Sequence, residues 1–133
     1  MAKYLSRQDW QARNTNIKAI GKVSKVFIHH TVSNPSSDPA KDAREIQNFH
    51  MNSRGYSDIA YTWLVHPDGT VIEGRMIGDK AAAGAHTLNH NSTSIAISAI
   101  GNYEENEPSE TLMQGMRDAL QYAKNKGQIT DSP

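Results

Sequence analysis

The stretch from Asp58 to Arg75, DIAYTWLVHPDGTVIEGR, constrains the fold more than any other part of the chain. Ile59, Tyr61, Trp63 and Val65 alternate with Ala60, Thr62, Leu64 and His66, the period-two pattern of a strand. Pro67-Asp68-Gly69 supplies turn chemistry, and Val71-Ile72-Glu73 runs back, so the segment predicts a β-hairpin. An isolated hairpin is marginal in water, and the rest of the chain must supply partners for it.

Those partners are legible. Val23 to Ile28 is rich in β-branched and aromatic residues and predicts a strand that runs out through His29 and His30 into the polar loop TVSNPSSDPA. Asp38-Pro39 has the form of a helix N-cap followed by proline at the first helical position. Ala43, Ile46, Phe49 and His50 then share one helical face, and Gly55 is placed to stop the helix. Ser94 to Ile100, SIAISAI, predicts a strand buried on both faces. Leu112, Met113, Met116, Leu120 and Ala123 mark an amphipathic helix capped by Ser109 and stopped by Gly127. The order strand, helix, hairpin, strand, helix predicts an α/β fold with a mixed central β-sheet flanked by helices, in a single domain over residues 1–133.

Composition narrows the function. Fourteen basic residues balance fourteen acidic ones, so no net field favours nucleic acid or an anionic membrane. The chain has no cysteine, which excludes disulfides, thiolate metal ligands and a cysteine nucleophile. No apolar run approaches the roughly 20 residues of a membrane span, and MAKYLSRQDW lacks the apolar core of a secretory signal.

Six histidines remain as candidate ligands. His29 and His30 alternate along their strand, so they face opposite ways and cannot both bind one ion from regular geometry. A neutral imidazole on a rigid strand end is a good zinc ligand, and it is equally an ordinary half-buried polar residue. Tyr61 reads from periodicity as a core aromatic; its functional reading is a phenol that donates to a developing oxyanion or a metal-bound water. His86 and His90 lie in a Gly/Ala/Asn-rich loop of the kind that a scaffold positions for chemistry. His50 reads as the border of a buried helix face, and His66, just before the turn, as solvated.

Four segments, taken in order, resemble the zinc-dependent N-acetylmuramoyl-L-alanine amidases and the peptidoglycan recognition proteins related to them, a family that includes phage endolysins. LSRQDWQAR is similar to the family's opening Ser-Arg-x-x-Trp-x-Ala-Arg. VFIHHT resembles its first metal strand, and GYSDIAYTWLVHPDGTVIEGR its Gly-Trp-x-Asp-Ile-Gly-Tyr segment with the following hairpin. GAHTLNHNSTSIAISAIGNYE resembles its Gly-Ala-His loop and the strand after it. The resemblance implies that His29 is the first zinc ligand and Tyr61 the active-site tyrosine. It places Thr31 at the floor of a muropeptide groove lined by His86 and Asn91. The implied reaction is hydrolysis of the amide between N-acetylmuramic acid and L-alanine, with Zn2+ as cofactor and peptidoglycan as substrate, at the cell wall. Without a signal, a phage lysin released into its host is the setting that fits.

The sequence departs from the family in one large respect. The second and third zinc ligands are expected after the last helix, in a Gly-His-Arg-Asp-like stretch and a Thr-Asp-Cys-Pro-like turn. This sequence closes on KNKGQITDSP, with Ser132 at the position of the cysteine. The expectation is a C-terminally shortened amidase domain with weak or no zinc, an uncovered sheet end and self-association through it. The alternatives are a non-catalytic peptidoglycan-binding module, or a protein-binding regulator on the same scaffold. Ala60 and Ala96 stand where the family usually has glycine.

Overall fold

The computed structural model describes residues 3–13, 17–82, 94–104 and 107–130. Its centre is a five-stranded mixed sheet. The strands are β1 (Tyr4–Leu5), β2 (Lys25–His30), β3 (Trp63–Val65), β4 (Val71–Glu73) and β7 (Ser94–Ala99), in the order β1-β4-β3-β7-β2. β5 (Met76–Ile77) and β6 (Lys80–Ala81) form a separate two-stranded ribbon. Two α-helices, α1 (Pro39–Asn48) and α2 (Glu110–Asn125), and a π-helical turn, Phe49–Ser53, complete the described elements. β3 and β4 are antiparallel; β1–β4, β3–β7 and β7–β2 are parallel. The mixed sheet flanked by helices is the expected architecture.

Each face of the sheet has its own core. Trp63, Val65, Val71, Ile95 and Ile97 pack with Leu112, Ala119 and Ala123 of α2 on one face. Leu64 and Ile72 pack with Ala43 of α1, Trp10 and Ile59 on the other. β7 is buried along its whole length because it is central and covered on both faces.

Three local expectations need correction. The strand expected from Val23 is β2 and starts at Lys25; Val23 makes only an isolated bridge to Ile129. The hairpin is regular only from Trp63, since the chain bends at Thr62. As a result Ile59 and Tyr61 pack on the α1 side while Trp63 and Val65 face α2, and the four residues do not share a face. Gly74 permits the bend, because a Cβ there would sit 2.2 Å from the Tyr61 carbonyl oxygen. α2 buries Leu112, Gly115, Ala119 and Ala123, while Met113 stays 40% exposed. Gly115 explains the rotation: a Cβ there would lie 2.5 Å from Val65 Cγ1, so the helix backbone approaches the sheet at that point. Leu112 and the small residues point inward, Met116 and Leu120 pack partly buried against the same core as expected, and Met113 is displaced to the flank.

The caps are as the sequence predicts. Asp38 accepts from the Ala40 and Lys41 amides at 3.1 and 3.3 Å, and Ser109 from the Leu112 amide at 3.1 Å. Beyond Asn48, α1 widens into a π-helical turn, Phe49–Ser53, closed by the Arg54 amide donating to the Phe49 carbonyl at 3.3 Å. A π turn changes the angular step between residues. His50 is therefore buried and Phe49 is 51% exposed, although the sequence pattern put them on one buried face. No helix among the described residues is long and apolar enough to cross a membrane.

Candidate functional site

The C-terminal ends of parallel strands are where open α/β sheets present ligand sites. Here the end of β2, the loop after it, α1, the π turn and the bend before β3 enclose a cleft of about 470 Å³. His29, Thr31, His50 and Tyr61 line it, together with Val32, Ile46, Phe49, Arg54 and Tyr56.

Each polar group is placed by its element. His29 is the penultimate residue of β2, paired in register with Ser98 of β7. Burial, and then the neighbouring His30, lower its pKa from the ordinary histidine value, so the ring is neutral at neutral pH. His30 serves the other side of the strand, where its Nδ1 accepts from the Tyr103 amide at 3.1 Å. The alternation read from the sequence therefore holds. Thr31 follows directly: its amide donates to the Ala99 carbonyl at 3.0 Å and its hydroxyl accepts from the Gly101 amide at 2.9 Å.

Tyr61 sits before β3, in the bend, not in the middle of a regular strand. Its ring lies between two imidazoles, with centroids 5.6 Å from His29 and 5.5 Å from His50. Burial raises the phenol pKa against an opposing effect of the Ser98 hydroxyl, so Tyr61 keeps its proton and can donate it in a hydrogen bond.

His50 is the residue that sequence reasoning missed. Its Nδ1 accepts from the Ala60 amide at 3.0 Å. That bond assigns the ring proton to Nε2, making the free edge of the ring a donor. Burial, with the positive charges of Arg54 and Arg75, lowers its pKa to about 4. A neutral donor in a cleft suits a carbonyl or developing oxyanion better than a cation. Its place in the π turn leaves no signal in the 3.6-residue pattern that the sequence offers. Arg54, also unremarked, places its guanidinium 5.4 Å over the Phe49 ring at the mouth of the cleft.

The segment entering Tyr61 is held from behind. The buried Asp58 carboxylate accepts from Arg7 at 2.8 and 3.2 Å, from Gln47 Nε2 at 2.9 Å and from the Ile59 amide at 2.6 Å. Arg7 also donates to the Gly74 carbonyl at 2.6 Å, and Trp10 Nε1 to the Glu73 carbonyl at 2.8 Å. The opening Ser-Arg-x-x-Trp pattern thus acts as a brace, outside the cleft.

His66 is not solvated. It is 4% exposed and holds Ser36 and Asp42 across the loop.

His86 and Asn91, expected to line the groove, and His90 lie outside the described residues. Among the described residues no group of three His, Cys, Asp or Glu side chains is placed to hold a metal ion. A catalytic zinc takes three protein ligands and keeps a position open. His29 is a suitable first ligand, but His50, with its proton on Nε2, turns a donor toward the same space. The described residues by themselves do not fit that centre.

The family model described as N-acetylmuramoyl-L-alanine amidase matches residues 7–133. Peptidoglycan-recognition protein SC2 of Drosophila melanogaster is 36% identical over 130 residues, covering 94% of this chain and 69% of that protein. The solved structure of Drosophila peptidoglycan recognition protein SD superposes with a TM-score of 0.88 at 28% identity, over 98% of this chain and 79% of that one. Peptidoglycan recognition protein LE, solved in complex with tracheal cytotoxin, a monomeric diaminopimelic acid-type peptidoglycan, superposes with a TM-score of 0.84 at 32% identity, over 96% and 77%.

Proposed function

Because the chain belongs to the N-acetylmuramoyl-L-alanine amidase family, we propose that its cleft binds a peptidoglycan muropeptide, with the lactyl-alanine amide lodged between His29, His50 and Tyr61. The observation that carries this reading is the convergence of two neutral imidazoles and a protonated phenol at the end of β2. Tyr61 and His50 Nε2 donate to the amide carbonyl, and Thr31 and Ser33 offer hydroxyls to the sugar or peptide. Val32, Ile46 and Phe49 give the peptide stem an apolar wall, and Arg54 offers a cation to its carboxylates.

The finer reading is hydrolysis of that amide. The donors that hold the carbonyl in the bound state are also placed to stabilise the oxygen as negative charge develops on it. In this reading His29 is the first ligand of the zinc that the family implies. Titration calorimetry with a muramyl pentapeptide tests the binding. A micromolar or tighter dissociation constant supports it, and no heat at millimolar ligand with folded protein overturns it. Incubation of the same ligand with zinc-supplemented protein tests turnover, since hydrolysis frees the amino group of L-alanine. Binding without release leaves the binding-module reading standing.

We also propose self-association through β2. Among the described strands β2 is the last of the sheet, and Ile28 on it is 64% exposed beside Met113 and Met116, an apolar patch on the surface. Sedimentation should show a dimer at tens of micromolar that Ile28→Lys abolishes; a monomer throughout that range contradicts the proposal.

A further inference from the structure

The loop between β2 and α1 forms one wall of the cleft, and its shape depends on a residue outside the cleft. At its start, Val32 has φ +54°, in the left-handed region that a β-branched residue strongly disfavours. Its amide donates to the Gly101 carbonyl at 2.8 Å, and its side chain lines the cleft while 54% exposed. A residue persists in such a conformation only when its surroundings over-determine it.

Ser36, four residues on, is pinned at every polar atom. Its amide donates to both carboxylate oxygens of Asp42, at 2.9 and 3.1 Å. Its hydroxyl accepts from the Asp38 amide at 3.0 Å. Its carbonyl lies 2.7 Å from His66 Nε2. The same nitrogen is 3.3 Å from Asp42 Oδ2, and Nδ1 accepts from the Asp68 amide at 3.1 Å. His66 is thus a buried bolt joining the hairpin turn, the first turn of α1 and the cleft loop. Its two nitrogens face opposite ways, toward Asp42 and toward Asp68, so the group is a clamp and not a site for one ion.

We propose that His66 is a positioning residue for the cleft. Acting through Ser36 and Asp42, it fixes the loop that carries Thr31, Val32 and Ser33, and so sets the cleft's width. The inference rests on the muropeptide reading only for what the cleft holds; the clamp itself is a property of the free protein. With Ser36 held, the Ser33-Asn34-Pro35 span has little freedom, and Val32 is kept in a conformation it would otherwise leave.

The test compares His66→Phe, which keeps a ring but removes both nitrogens, with His66→Gln, whose amide nitrogen reaches the position of Nε2. Amide hydrogen exchange is followed at Val32 and Ser36, and at Ile97 in β7 as the core reference. In His66→Phe, exchange at Val32 and Ser36 should quicken about tenfold or more, the effect of one lost buried hydrogen bond. Ile97 should keep its protection, and His66→Gln should recover most of the loss. If His66→Phe does not fold, Asp42→Asn replaces it, since it weakens the same grip on the Ser36 amide with little change in shape. Unchanged exchange at Ser36, or equal loss at Ile97, overturns the clamp. Muropeptide affinity should fall about tenfold in His66→Phe and return in His66→Gln. Loosening of the loop with unaltered affinity overturns the positioning role. Failure of the unmodified protein to bind muropeptide sinks the functional reading instead, and the exchange data still decide the clamp.

Discussion

The two sides of the segment from Asp58 to Tyr61 treat polar groups in opposite ways. Behind it, Asp58 is buried and accepts from Arg7, Gln47 and the Ile59 amide. In front, His50 is held through one nitrogen and turns the other toward the cleft, and Tyr61 lies between two imidazoles beside exposed apolar side chains. Saturated networks give rigidity, while groups with bonding capacity to spare can be used by a ligand. The brace and the cleft are three residues apart in sequence, so the first can hold the second in shape without touching a ligand.

Removing the brace should have the largest effect. Asp58→Ala leaves Arg7 without its buried carboxylate and should cost about 3–5 kcal/mol in urea denaturation. A loss under about 1 kcal/mol would mean that the brace is not what holds the hairpin end. Acid should act on the cleft side. His50 has an ordinary pKa of 6.5 unfolded and about 4 folded. Between those values the unfolded chain binds the proton first, so stability is whole above pH 6.5 and falls as pH drops toward 4, by at most about 3 kcal/mol. His50→Gln should flatten that part of the pH–stability curve; an unchanged slope would assign the loss elsewhere. Gly74→Ala strikes the joint between the two regions by pushing a methyl into the Tyr61 carbonyl, and should cost about 1–3 kcal/mol. A thermal melt that matches the parent protein would contradict the close approach. Tyr61→Phe should have the smallest effect on stability, under about 1 kcal/mol, yet weaken muropeptide binding about tenfold. Equal binding by both proteins would remove the phenol from recognition.

How legible each region was follows from the physics of its signals. β2, the hairpin strands, β7, both caps and the mixed sheet could be read because periodicity and capping are local, whereas the two-residue strands β1, β5 and β6 are too short to show a period. The opposite jobs of His29 and His30 followed from alternation alone. The position of Tyr61 was misread because the bend at Thr62 depends on Gly74, a residue across the hairpin. His50 looked like a helix border because the π turn that buries it leaves no mark in a 3.6-residue pattern. His66 looked solvated because its partners, Ser36 and Asp42, are 30 and 24 positions away and meet it only after folding. The brace was visible as a family pattern, but its structural role was not, since Arg7 and Asp58 carry no local signal of being paired.

In the proposed function, muropeptide binds in the His29–His50–Tyr61 cleft. Titration of 15N-labelled protein with a muramyl pentapeptide, followed residue by residue, tests it most directly. Binding in the cleft should give saturable shifts at the amides of Thr31, Val32, Ala60 and Tyr61 and at the His50 ring, with the brace amides Arg7 and Ile59 nearly still. Shifts confined to the face of β2 and α2 around Ile28 and Met113, or none at millimolar ligand, would contradict it.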